Sequence, residues 1–306
     1  MQLYLSRVAP SEQFGHPAAD LSASVEVSRS LHRGWLGKLR PSSERVGLRV
    51  IATAYLVAMV VVPIATLVRE GFSAGTKHII AAVTHPVALA ALWLSLKTGL
   101  FMALVNAVMG TLIAYVLVRY RFPGRKLLDL LIDLPFAIPT LVTGMMIVTL
   151  LGPHAALGKL FAAAGVRVVY AAPAITLALL FVTLPLVVRS VQPVLLELDI
   201  AEEEAAFTLG AGEWATFRRV TLPAIAPAIL AGALQSFARA LGEFGSIVVV
   251  AGNLPRKTLT AAVYVFGEVE SGDLRSASAM SLLLVAISFL VVLALDLLSR
   301  KKQPRG

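Results

Sequence analysis

Arg239 and Glu243 put a cation and an anion four residues apart inside an otherwise apolar stretch. On a helix that spacing places both on one face within pairing distance, in surroundings where either charge alone would be costly. Two readings fit: Arg239 contributes to a positive path for an anion, or the two side chains neutralise each other and fix helix packing. Pro135 and Pro139 interrupt the start of another apolar run, and the backbone groups they free need partners in the protein or in a water-lined path. Thr140, Thr143, Ser236 and Ser246 offer neutral hydroxyl donors, and a broken helix end offers amides to an anion. A kink that serves packing alone is the other reading. Arg239, Glu243, Pro135, Pro139 and Thr140 are therefore the candidate residues of a pathway. Asp129 and Asp133, facing Arg119, Arg121, Arg125 and Lys126, read as a solvated charge cluster.

Covalent and metal chemistry find no support. The histidines, His16, His32, His78, His85 and His154, fall at no metal-ligand spacing, there is no Gly-x-Ser-x-Gly elbow, and the absence of cysteine removes thiol nucleophiles and Cys-based metal sites. The run Gly152 to Leu160 has five residues between its glycines where a P-loop has four, and Leu160 where a magnesium-binding Ser or Thr is required. No cofactor is expected on this chain, and any ATP hydrolysis, with its Mg, must come from another subunit.

The elements that hold these residues are membrane spans. Hydrophobic residues make up 58% of the 306, charged residues 15%, and the mean hydropathy is +0.81, a composition that a soluble domain of this length would not tolerate. A bilayer core of about 30 Å needs about 20 residues of helix. Six uncharged runs reach spanning length: Val50 to Val68, Thr98 to Val118, Leu134 to Leu151, Val168 to Val188, Thr221 to Ala238 and Ser276 to Leu295. An all-α membrane protein with six transmembrane helices is expected. The net charge of +9 would suggest nucleic acid in a soluble protein, but here its distribution matters more, and no nucleic-acid partner is expected. A cytoplasmic N-terminus puts 18 Lys and Arg on inner segments and seven on outer loops, so both termini are expected in the cytoplasm. Residues 1–47, with eight serines, three prolines and no sustained apolar period, read as a disordered cytoplasmic tail without a signal peptide. Residues 48–298 are then the transmembrane domain, and 299–306 a short basic tail.

Between the fourth and fifth spans, residues 195–222 carry Glu197, Asp199, Glu202, Glu203, Glu204 and Glu213. The run Ala201 to Leu209 consists mostly of strong helix formers, and Gly210 or Gly212 can end it with a left-handed residue. Trp214, Phe217 and Val220 offer an apolar edge beyond the turn, and Pro223 suits the start of the next helix. The product is a short helix, a bend and a return to the membrane. It suits a groove on a partner, with Ala205 and Ala206 allowing close approach and Glu204 available to a cation; an ordinary amphipathic surface helix fits equally.

The spacing of Glu204, Ala205, Ala206, Gly210, Val220, Leu222 and Pro223 resembles the EAA loop of ABC-importer permeases, and the chain from about Leu94 to Leu298 is similar to the type I permease fold. More narrowly, Leu134 to Thr140, Leu186 to Val194, and Phe237 to Gly245 continued by Ala251 to Thr258 resemble the T-type permease subunits of sulfate/thiosulfate importers. Molybdate permeases share the text Arg239 to Gly245, whereas Val188 to Pro193 and the run from Ile287 look more like the sulfate family. The resemblance implies a bacterial inner-membrane subunit that forms half of a translocation path. It implies a second, W-type permease, an ABC ATPase dimer docked on Glu204, Ala205, Ala206, Gly210, Leu222 and Pro223, and an external sulfate-binding protein. A gradient-driven carrier would need inverted repeats and buried carboxylates, and an enzyme a catalytic constellation; no clear repeat is visible, and Glu243 already has Arg239.

Overall fold

The structure, a computed structural model, describes residues 43–300. Of the expected N-terminal tail, 1–47, the residues up to 42 lie outside the described residues and 43–47 are helical; of the expected basic tail, 299–306, the residues beyond 300 lie outside them. The chain divides into two units. The first, up to Pro63, contributes helix α1 (Ser43–Leu56) and a π-helical segment, Val57–Val61. The second, from Ile64 on, contains the rest: α2 (Val62–Phe72, which starts at the boundary), α3 (Thr76–Thr84), α4 (Pro86–Arg119), α5 (Arg125–Ala137), α6 (Thr140–Leu151), α7 (Ala156–Ala163), α8 (Ala172–Glu197), α9 (Ile200–Thr208), α10 (Glu213–Thr216), a second π segment (Phe217–Thr221), α11 (Leu222–Leu241), α12 (Gly245–Val250), α13 (Ala261–Glu270) and α14 (Leu274–Arg300).

Among the described residues five helical stretches are long and apolar enough to cross a membrane: Val46–Phe72, Pro86–Arg119, Ala172–Glu197, Glu213–Leu241 and Leu274–Leu295. A sixth crossing exists only if α5 and α6 are taken together, and these are bent by 111°. The run from Leu134 to Leu151 is therefore not one straight span. Ile138 and Pro139 are extended between the two helices, as the ring of Pro139 demands of the residue before it. The fourth span is also displaced from its apolar run: α8 starts at Ala172 and carries Arg189, Ser190 and Gln192 inside the helix.

Both π segments end two residues before a proline. A proline has no N–H for the carbonyl four residues back and crowds it, and widening the preceding turn accommodates this. Accordingly the N–H of Val62 reaches the carbonyl of Val57, and that of Leu222 the carbonyl of Phe217. Pro223 thus lies well inside a continuous helix that begins at Glu213, not at a helix start.

The core of the second unit is α4, α8 and α11. Their backbones approach at glycines: a Cβ on Gly110 of α4 would lie 2.8 Å from Cβ of Val187, and one on Gly232 of α11 only 2.7 Å from its Cα. Small residues at such crossings replace the hydrophobic drive that lipid removes. Polar bonds lock the same three helices. Asn106 Nδ2 donates to Thr183 Oγ1 at 2.9 Å and to the Leu180 carbonyl at 3.3 Å, and Ser236 Oγ donates to the Thr183 carbonyl at 3.2 Å. Around them Met102, Ile175, Leu179 and Ile247 form one apolar cluster, and Leu117, Val187, Val191 and Ile225 another. The P-loop-like run is a packing device. A Cβ on Gly158 would collide with the carbonyl of Gly152, so the glycines let α7 fold back on the end of α6.

Asp273, just ahead of α14, accepts the Ser276 N–H through Oδ1 at 3.0 Å. That amide bond, with the Ser276 hydroxyl, holds the Asp273 carboxyl below its ordinary range. A depressed value means that the stabilisation is complete above the unfolded value, about 3.9, and is lost as pH falls through the folded one. Asp273→Ala should lower stability by about 1 kcal/mol at neutral pH. Thermal unfolding in detergent along an acid series should show the gap to the native protein closing; a gap independent of pH would exclude the cap.

Candidate functional site

The loop between α8 and α11 begins with the short helix and glycine stop that its sequence suggests. Asp199 caps α9 by accepting the Ala201 N–H at 3.0 Å. The helix ends where Gly210 turns left-handed at φ +84°, with Gly210 N–H on the Phe207 carbonyl and Ala211 N–H on the Ala206 carbonyl. Glu204 and Ala205 are exposed and Ala206 is half-buried. Leu209 is 89% exposed and Trp214 72%, an apolar crest flanking the turn. Trp214 stacks on Phe217, whose ring meets Tyr115 of α4 edge-on.

The acidic residue that ties this loop to the bundle is Glu203, its neighbour, not Glu204. Glu203 Oε1 accepts from Arg119 Nη2 at the end of α4 and from Thr221 Oγ1 at the start of α11, both at 2.8 Å. Arg119 and Glu203 side chains are only 15% and 12% exposed. One carboxylate therefore joins α9 to two core helices. Nothing local signals it, because Arg119 is 84 residues away.

The second set of candidates lies about 24 Å along α11, the rise of the 16 residues from Pro223 to Arg239. Arg239 Nη1 is 2.9 Å from Glu243 Oε2; the Glu243 side chain is 1% exposed, the Arg239 side chain 44%. The other oxygen, Oε1, accepts the Ser246 N–H at 3.0 Å and the Ser246 hydroxyl at 2.9 Å. The buried carboxylate is thus fully satisfied, while part of the guanidinium faces outward. Thr140 belongs to the same site, since a Cβ on Gly245 would collide with Thr140 Oγ1, and one on Gly144 would lie 2.7 Å from the Ser246 carbonyl. Here α6 and α12 touch backbone to backbone, which places Thr140, one residue after Pro139, against Gly245, two residues from Glu243. Pro135 is buried earlier, within α5. Of the four hydroxyls, Ser236 and Ser246 donate inside the protein. Thr143 is buried, and its Oγ1 has no partner among the described residues.

Asp129 and Asp133 are partly exposed, as a solvated charge cluster would be, but their bonded partner is none of the basic residues near them in sequence. They hold Arg189 of α8: Asp133 takes Nε at 2.8 Å and Nη2 at 2.6 Å, and Asp129 takes Nη1 at 2.7 Å. Across the described residues no group of three or more His, Cys, Asp or Glu is arranged to hold a metal ion.

A bundle of glycine-packed spans, a short helix projecting between two of them and an ion pair at the far end of one define a transport subunit. The model of the family described as binding-protein-dependent transport system inner membrane component matches residues 106–304. The chain is 37% identical to the probable sulfate transport system permease protein cysT of Chlorokybus atmophyticus over 283 residues, 92% of this chain and 95% of that protein. It is 41% identical over 251 residues to the sulfate transport system permease protein CysT of Synechocystis sp., 82% of this chain and 88% of that protein. A bacterial alginate ABC transporter chain superposes with a TM-score of 0.71 at 17% identity, covering 89% of this chain and 96% of that one. The fold is that of the type I ABC-importer permeases. Within it, the chain belongs to the family of T-type sulfate transport system permease proteins.

Two expectations follow from the geometry. Glu203→Ala should lower stability by about 2 kcal/mol, because it strands a shielded Arg119, whereas Glu204→Ala should stay within about 0.5 kcal/mol; thermal unfolding in detergent distinguishes them. Arg239→Met should cost more than the double variant Arg239→Met/Glu243→Gln, with a coupling of about 1–3 kcal/mol in a double-mutant cycle. Additive costs would mean that the pair contributes nothing.

Proposed function

We propose that this chain forms half of the translocation pathway of an ATP-driven importer for sulfate or thiosulfate. The reading is carried by its relatives, sulfate transport permeases at 37% and 41% identity over most of the chain. They do not favour the molybdate alternative, and family membership sets aside the gradient-driven carrier and the enzyme. The proposed assembly contains a second, W-type permease, two copies of an ABC ATPase with ATP and Mg bound on them, and an external binding protein that delivers the anion. Its place is the bacterial inner membrane, with both termini in the cytoplasm.

The chain's own residues have three tasks. Glu204, Ala205, Ala206 and the left-handed turn at Gly210 present α9 to the ATPase, beside the exposed Leu209 and Trp214. Glu203 then passes displacement of α9 to α4 and α11 through Arg119 and Thr221, next to Leu222 and Pro223. At the far end of α11, Arg239 offers a dianion a cation already shared with a buried carboxylate. A paired cation attracts weakly, and weak attraction suits a path that must release its solute. Closure of the ATPase dimer on ATP would draw the two α9 pegs together and turn the path outward, and hydrolysis would reset it.

The test is reconstitution of the complex with its binding protein in vesicles and measurement of ATP-dependent uptake of labelled sulfate. Competition by thiosulfate and little by molybdate is expected; preference for molybdate, or uptake without the ATPase, would sink the proposal. Because the chain has no cysteine, single cysteines report topology directly. Lys257→Cys should react with an impermeant thiol reagent from outside and Glu204→Cys only from inside, and the reverse pattern would overturn the orientation.

A further inference from the structure

Arg189 lies inside the apolar helix α8, where an arginine in an anion importer invites assignment to the path of the anion. Its bonds argue otherwise. Besides the fork on Asp133 and the bond to Asp129 Oδ1, Nη2 donates to the Asp129 carbonyl at 2.9 Å and Nη1 to Gln192 Oε1 at 2.6 Å. A guanidinium has five N–H donors, and all five are used. Gln192 Nε2 closes the ring by donating to Asp129 Oδ1 at 3.2 Å. No donor is left for a sulfate.

What this ring holds is α5, the first half of the broken pair. Only Ile132 and Pro135 of α5 are buried, and Ile132 packs into the cluster of Val187, Val191 and Leu195. The apolar grip on α5 is therefore small, and the ring around Arg189 adds a polar attachment to the same helix, α8. An isolated exposed ion pair contributes little, but a bidentate, networked one is the exception. Position adds to the argument. Arg189 is eight residues, about 12 Å, before the end of α8, which passes into α9 through Leu198 and the cap Asp199 alone. On its other side α5 runs to the break at Ile138 and Pro139, after which Thr140 abuts Gly245, two residues from Glu243.

We propose that Arg189 is a positioning residue: clamped by Asp129 and Asp133, it fixes the angle of the break between α5 and α6 relative to α8, and so links movement of the ATPase-facing helix α9 to the Arg239–Glu243 site. This rests on the transport reading above. It predicts that loosening the ring uncouples ATP hydrolysis from uptake instead of abolishing either.

Arg189→Lys keeps the charge but not the fork, and Asp133→Asn keeps the shape but weakens the bond. The full complex, reconstituted with binding protein, would be assayed for ATP hydrolysis and labelled sulfate uptake in the same vesicles. Both variants are expected to assemble and hydrolyse ATP while uptake per ATP falls about five-fold. An unchanged ratio, or uptake and hydrolysis falling in proportion, would overturn the proposal. A second readout needs no cargo. In the cysteine-free chain, spin labels at Leu131→Cys on α5 and Leu196→Cys on α8, both exposed positions, should give one narrow distance distribution that broadens with Arg189→Lys. An unchanged distribution would also overturn it. If the wild-type complex takes up no sulfate yet the distribution broadens, the transport reading has failed and the clamp stands.

Discussion

A polar group in hydrocarbon must find its partner inside the protein, and the side-chain arrangement of this chain follows from that requirement. Asn106 is answered by Thr183 and the Leu180 carbonyl, Ser236 by the Thr183 carbonyl, Glu243 by Arg239 and Ser246, and Arg189 by two aspartates and a glutamine. Each satisfied group lies where two or more helices meet. The polar residues thus specify which helices are neighbours, a choice that apolar contact with lipid-like surroundings leaves open. Close approach comes from the glycines, since Gly110, Gly232, Gly144 and Gly245 stand where a Cβ would enter a neighbouring helix.

Much of the fold was legible in the sequence, because uncharged runs of spanning length mark the helices able to cross a bilayer. Five spans overlap their apolar runs, and α9 with its glycine stop falls within a residue of the expected limits. The misses have physical causes. Run length cannot register direction, so the 111° turn at Ile138 and Pro139 reads as a kink in one span. Helix ends move when polar residues are accepted by tertiary partners, which is why α8 continues through Arg189 to Glu197. Pro223 reads as a helix start, because proline favours that place, but a π turn admits it to the interior.

The candidate site divides along the same line. Arg239 and Glu243 are a local pair, four residues apart, and their spacing was sufficient to bring them together. Thr140 joined them only through Gly245, 105 positions later in the chain, and Glu203 found Arg119 across 84. Long-range pairings of this kind leave no periodic trace. A run of three glutamates is also ambiguous by nature, because successive residues on a helix point about 100° apart. Which of Glu202, Glu203 and Glu204 turns inward depends on where the neighbouring helices stand.

The two ends of α11 are held by different partners. Its beginning is fixed to α9 by Thr221 and Glu203, and its last turn bears Arg239. Gly232 packs closely on Val187 in between, and the π segment Phe217–Thr221 is a local widening that includes the attachment point, Thr221. The helix is thus tied at its base, carries Pro227 in its first half, and is pinned by a backbone approach further on. The far end carries the guanidinium of Arg239, while the carboxylate of Glu243 is capped on the amide of Ser246. The two halves of the ion pair therefore have different supports, the cation on the last turn of α11 and the anion on the turn that leads into α12.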